Sequence, residues 1–169
     1  MCNLVQKPSS KSLEERILEL EAREDIKNII ANYNHGVDKL DEELFMDLWE
    51  EDAVWDIGDP WGICINKQEI LEKIRAIWVG LPETHHYGMN EVITIKLENG
   101  TASAVSDADC TATNANGVPL VIAATNWDKY SNKTGKWRLT ERKIKIHYMT
   151  PVLEPWSNQP ESRINPKLG

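Results

Sequence analysis

The sequence predicts an α+β fold in which helices come first and a strongly bent, mostly antiparallel sheet follows. Three observations carry this reading. Apolar residues recur at helical spacing up to Val37 and again over 67–79. Beyond Thr84, long alternating stretches are separated by Asn99-Gly100, Asn114-Ala115-Asn116-Gly117 and Asn132-Lys133-Thr134-Gly135, all of hairpin-turn chemistry. Two of those stretches change phase midway, which a single extra residue in each would absorb.

The chain has 169 residues, 41% of them hydrophobic and seven of them Trp, enough for one domain with a sizeable core. That domain is expected over 12–156, between a loose arm over 1–11 and a tail over 157–169. A formal charge of −8 disfavours nucleic acid and anionic membrane surfaces as partners, and points to a small hydrophobic molecule instead. Cys2, Cys64 and Cys110 form no CxxC pair and are odd in number, as expected of reduced thiols. The first dozen residues hold no apolar signal core, and no apolar run approaches about 18 residues. A soluble, cytoplasmic protein is expected.

Ser12 and Glu15 form a capping box at the start of the first helix, whose apolar positions are Leu13, Ile17, Leu20, Ile26, Ile29, Ile30, Tyr33 and Val37. Gly36 marks its expected end, with Asp38 just beyond. A second helix is expected over 41–51, with Leu44, Phe45, Leu48 and Trp49 on one side. Residues 53–57 and 61–65 read as a short hairpin around Gly58-Asp59-Pro60. Asn66 and Glu69 then open a third helix over 67–79, stopped by Gly80 and Pro82.

In the sheet, bulges are expected near Gly88 to Glu91 and near Thr140 to Arg142. They bring His86, Gly88, Ile93 and Ile95 to one face, and Leu139, Arg142, Ile144, Ile146 and Tyr148 likewise. Bulges of this kind curl a sheet around a cavity. Ala102, Ala104, Ser106, Ala108, Cys110 and Ala112 share one face, and their small side chains leave volume for a helix or a ligand. Over 118–125 both faces are apolar, so one needs cover, and a homo-oligomer is the expected source. The segment from Thr150-Pro151 through Pro155, Trp156, Pro160 and Pro166 is too rich in proline for regular structure.

The chemistry centres on Glu83-Thr84-His85-His86-Tyr87-Gly88-Met89-Asn90. Neighbours on a strand face opposite ways, so only one of His85 and His86 can face a cavity. Asp38, at a helix end, and His86, at a strand start, make a carboxylate and imidazole that can work as orienter and base. A structural Asp–His hydrogen bond is the competing reading. Arg142 shares the inward parity and needs an anionic or carbonyl partner there. Tyr33 could donate to a substrate oxygen, and Trp55 could stack on a flat ring or simply pack. His35, His85 and His147 read as surface groups. No zinc spacing, glycine-rich phosphate loop or Ser/Cys nucleophile motif is present, so neither a cofactor nor a metal is expected.

Taken together, Gly36-Val37-Asp38-Lys39, Asp52-Ala53-Val54-Trp55, Glu83 to Asn90, Trp137-Arg138-Leu139 and Tyr148-Met149-Thr150-Pro151 resemble the SnoaL-like branch of the nuclear transport factor 2-like superfamily. Within it the likeness is to the hexachlorocyclohexane dehydrochlorinases, with scytalone dehydratase and the bile-acid 7α-dehydratases as relatives. The resemblance implies a cone-shaped α+β barrel around a deep apolar pocket, a cofactor-free lyase or isomerase, and a homotrimer. It places Asp38 and His86 on a catalytic dyad, Trp55 on a pocket tryptophan and Arg142 on a pocket arginine. Tyr33 stands where the dehydrochlorinases carry lysine and the dehydratases tyrosine, which favours loss of water over loss of chloride. Cys110 stands where the dehydratases place an acid or histidine. The expected activity is a dehydratase working by proton abstraction at His86. The alternatives are a dehydrohalogenase, a double-bond isomerase or cyclase, or a non-catalytic small-molecule-binding module.

Overall fold

A computed structural model describes residues 11–154. The N-terminal arm before Lys11, the prolines from Pro155 onward, the C-terminal tail and Cys2 lie outside the described residues. Helix α1 spans Leu13–Asp38 and starts from the expected capping box, with Ser12 Oγ accepting from the Glu15 amide and the Glu15 carboxylate accepting from the Ser12 amide. From Ala22 to Val37 its apolar stripe is buried. Leu13, Ile17 and Leu20 had been expected on that stripe but are exposed. The first turns of α1 therefore run past the edge of the sheet core.

Gly36 does not end α1. The helix runs on through Asp38, and Gly36 packs against the second helix, where an added Cβ would sit 2.9 Å from Phe45 Cβ. The glycine permits a close crossing. The chain turns only afterwards, through Leu40 at a φ of 54° and an Asp41 amide that donates to Gly36 O.

Helix α2, Glu42–Asp47, is shorter than expected, because Trp49 pairs with Leu139 and becomes the first residue of strand β1, Trp49–Gly58. Phe45, Leu48 and Trp49 are buried as their hydrophobicity demands, but strand pairing outweighs helical continuation after Leu48. Strand β2, Gly62–Cys64, closes the expected hairpin, and α3 spans Lys67–Gly80 with Asn66 as its cap. Strands β3, Glu83–Lys96, β4, Thr101–Thr113, β5, Pro119–Ser131, and β6, Arg138–Pro151, complete the fold.

The six strands form one curved sheet in the order β2-β1-β6-β5-β4-β3, antiparallel except for the parallel β1–β6 pair. Both expected bulges are present. Asn90 and Glu91 lie between the Met89–Asp107 and Val92–Val105 pairs, so two residues oppose Ser106 alone, and Asn90 takes a φ of 59°. Thr140 is the extra residue between the Lys129–Glu141 and Tyr130–Leu139 pairs. A third slip was not expected. His147 is extra between the Ala124–Ile146 and Ala123–Tyr148 pairs, so Tyr148 leaves the inward face and Met149 takes its place beside Ile122.

The sheet wraps around α1 and α3, and the core runs from Ile26 and Ile30 through Phe45, Trp49 and Trp55 to Leu139. Ala102, Ala104, Ser106, Cys110 and Ala112 are buried on one face of β4, as their alternation predicts. This is the expected cone-shaped α+β fold. Among the described residues no helix is long and apolar enough to cross a membrane.

Candidate active site

Helix α1 delivers Asp38 to the start of β3, and the contact is dense. Asp38 Oδ1 lies 2.5 Å from His86 Nδ1 and accepts from Thr84 Oγ1 at 2.8 Å, while Oδ2 accepts from the His86 amide at 2.8 Å. Thr84 and His86 are two apart on β3 and so share its inward face. His85 points the other way and is exposed, as is His35. Burial opposes ionisation of Asp38, but its hydrogen bonds from His86 and Thr84 hold the carboxyl below its ordinary value.

His86 is tuned in the opposite direction. Burial pulls its pKa down, yet the hydrogen bond to Asp38 and the Cys110 thiol, directly across the β3–β4 ladder, push it up to about 9. With Nδ1 engaged by Asp38, Nε2 is the nitrogen left for the cavity that His86 lines. The neutral imidazole then carries its proton on Nδ1 and a lone pair on Nε2.

That cavity, about 110 Å³, lies between α1, α3 and the concave sheet face. Trp55, Trp61, Ile122, Ile144, Ile146 and Met149 supply apolar walls, and Tyr33, Asn34, Thr84, His86, Cys110 and Asn126 supply the polar points. A dry cavity of about 150 Å³ accepts a benzene ring, so this one is scaled to a single small ring. Five of the six residues singled out in the sequence are at or beside it: Tyr33, Trp55, His86 and Cys110 line it, and Asp38 stands behind His86.

Arg142 is the sixth, and its place differs from expectation. It faces inward and is 1% exposed, but it is not among the cavity-lining residues. Its Nε and Nη2 donate to Asp128 Oδ1 and Oδ2 at 2.7 and 2.6 Å, and Tyr130 Oη donates to the same Oδ2 at 2.7 Å. The guanidinium is therefore neutralised by Asp128, which the sequence reading overlooked. Burial alone would lower the pKa of Arg142, and the carboxylate holds it above its ordinary value. Burial pushes the Tyr33 phenol up to about 12.

His147 also departs from expectation. It is half-buried on the outer sheet face, with Nε2 2.8 Å from Thr125 Oγ1, whose hydroxyl donates to Asp107 Oδ1. Asn34 and Asn126 were overlooked as well. Signals were available: Asn34 lies one helical turn before Asp38, and Asn126 continues the inward parity of Leu120 and Ile122. Asp128 carries that same parity two residues on. Among the described residues no three His, Cys, Asp or Glu side chains gather as a metal site would require.

The SnoaL-like domain model matches residues 18–143. The chain belongs to the SnoaL-like domain family. It is 28% identical over 138 residues to hexachlorocyclohexane dehydrochlorinase 1 of Sphingobium indicum, covering 79% of this chain and 86% of that one. A crystal structure of a hexachlorocyclohexane dehydrochlorinase from Novosphingobium barchaimii superposes with a TM-score of 0.74 at 22% identity, over 81% of this chain and 94% of that one. A nuclear transport factor 2-like superfamily protein from Salmonella enterica gives 0.69 at 17% identity, over 81% and 99%. The two structures share the cone-shaped fold of this SnoaL-like chain.

Proposed function

We infer that this SnoaL-like protein is a cofactor-independent lyase that removes a proton from a small hydrophobic, cyclic substrate with His86 as the base. The observation that carries the reading is the 2.5 Å contact between Asp38 Oδ1 and His86 Nδ1, with the rest of the imidazole at an apolar cavity. Positioned proton transfer of this kind contributes about 10² to 10⁴ in rate. His86 Nε2 takes the proton from carbon, the C–H electron pair becomes the new double bond, and the bond to the leaving group on the adjacent carbon breaks. For a hydroxyl, the departing oxygen takes the proton back from the imidazolium and leaves as water, which returns His86 to its neutral form. Asp38 holds Nδ1 throughout and stabilises the imidazolium.

Dehydration is the leading reading, because Tyr33 rather than a lysine lines the cavity. Dehydrohalogenation is the second, supported by the Sphingobium indicum relative. Turnover of hydroxylated and halogenated cyclic compounds tests both, by alkene formation and by chloride release. His86→Ala is expected to abolish turnover while leaving the fold intact. A variant that loses only stability would favour a binding module instead. The protein is further proposed to work in the cytoplasm as a homotrimer, with the outer sheet face, where Tyr87 and Val92 are exposed, between subunits. Light scattering on the purified chain tests the assembly.

A further inference from the structure

We propose that Asn34 is the hydrogen-bond donor to the departing or enolate oxygen of the substrate, and that Gly88 is a glycine in order to leave it room. The inference rests on the lyase reading above and assigns the oxygen-binding group of the same site. Asn34 precedes Asp38 by four residues on α1, about 6 Å along the helix. Gly88 follows His86 by two on β3, about 7 Å along the strand. The two pairs make adjacent rungs between the same elements. Asp38 meets His86 on one, and Asn34 meets Gly88 on the other, where an added Cβ would stand 2.9 Å from Asn34 Nδ2.

This spacing suits an elimination. The atom that leaves sits on the carbon next to the one that loses its proton, so the group receiving it belongs about one rung from the base. Asn34 lines the cavity, and its carboxamide makes no hydrogen bond among the described residues. Its donor capacity is free for an occupant. The other donors stand farther from the base: Arg142 does not line the cavity and gives its Nε–Nη2 edge to Asp128, and the Tyr33 ring is seated on that guanidinium. Asn126 also lines the cavity, but it is four residues beyond Ile122 on β5, two inward positions from the His86–Cys110–Ile122 rung, where Asn34 is one. Among the described residues the one side chain lining the cavity that can carry a positive charge is His86, whose charge is paired with Asp38, so beyond the base itself a neutral donor is what meets the oxygen. The site accordingly fits an uncharged ring bearing a carbonyl or hydroxyl rather than a carboxylate or phosphate ester.

The test uses 4-nitrophenol, a single ring whose phenolate mimics an enolate and whose visible absorbance separates the ionised from the neutral form. The wild-type protein is expected to bind it as phenolate. Asn34→Ala should weaken binding about 10-fold. Gly88→Ala, whose methyl group displaces the carboxamide, should do the same, and the double variant should lose no more than either single one. Thermal melting shows that each variant is folded. Wild-type affinity in both single variants would overturn the assignment, as would a wild-type protein that binds only the neutral phenol. The lyase reading fails separately, if His86→Ala keeps wild-type turnover of a substrate found in the screen.

Discussion

The guanidinium carbon of Arg142 lies 3.9 Å from the centre of the Tyr33 ring. A buried cation thus supports the face of a residue that lines the cavity, while Asp128 holds the cation along its Nε–Nη2 edge. Arg142, Asp128, Trp55, Ala104 and Ile93 occupy one rung across five strands, so this contact ties α1 to most of the sheet.

Removing one partner of that pair leaves an uncompensated charge where water cannot reach. Asp128→Asn is expected to destabilise the fold by about 3 to 5 kcal/mol. The double variant Asp128→Leu with Arg142→Met should recover most of the loss. Denaturant unfolding of the three proteins measures both values, and a single variant with unchanged stability would contradict the buried pair.

The pKa of His86 depends on Asp38, and burial works against it. Asp38→Asn removes the charge that raises it, so the imidazole should titrate well below its present value of about 9. Ring-proton NMR titration reads this directly. If His86 is the base, its neutral form is the active one, and kcat/KM should climb with pH, with the midpoint of the rise at about 9 and the plateau above it in the wild type. A rate that falls over that range would assign His86 the role of an acid.

The same pair gives stability a pH window. Because the folded pKa of His86 exceeds its ordinary 6.5, its contribution is complete below 6.5 and is lost as pH rises through about 9. Because Asp38 is depressed, its contribution is complete above its ordinary 3.8 and is lost as pH falls through the lower folded value. Melting temperatures of the wild type and of Asp38→Asn should therefore differ most between about pH 4 and 6.5. A constant difference up to pH 10 would refute the linkage.

Gly36→Ala tests the helix crossing. Helix propensity alone favours alanine by about 1 kcal/mol. The new methyl group, however, would meet Phe45 Cβ at 2.9 Å and its backbone at 3.1 Å. Overpacking against backbone costs about 1 to 3 kcal/mol, so the melting temperature is expected to fall. A rise would mean that α2 is free to shift.

The fold was legible wherever periodicity and turn chemistry agreed. The capping box at Ser12, the Asn66 cap, the hairpin turns and two of the three bulges in β3 and β6 follow from residue order alone. What escaped were effects of pairing at a distance. Trp49 leaves its helix because Leu139, ninety residues away, offers it a ladder position. Tyr148 turns outward because His147 is accommodated as an extra residue opposite Ala123 and Ala124, and no local signal marks that. The Asp38–His86 contact was visible from motif positions, whereas the Asp128 partner of Arg142 was hidden by an unremarkable surface-like sequence, Asn126-Trp127-Asp128-Lys129. Parity along β5 would have exposed it.

The parallel β1–β6 pairing has a consequence for how the chain acquires its shape. Strand β6 is the last of the described strands to leave the ribosome, yet it occupies an interior position between β1 and β5. Until it inserts, β1 with β2 and the β3–β4–β5 meander are two separate pieces, each with an open edge prone to mispairing. The contacts of Asp38 with Thr84 and His86 need only α1 and β3, so they can form on a half-made sheet. The floor under Tyr33 cannot, because Arg142 arrives with the closing strand. The order of synthesis therefore allows the proton-handling pair to form before the chamber around it can close.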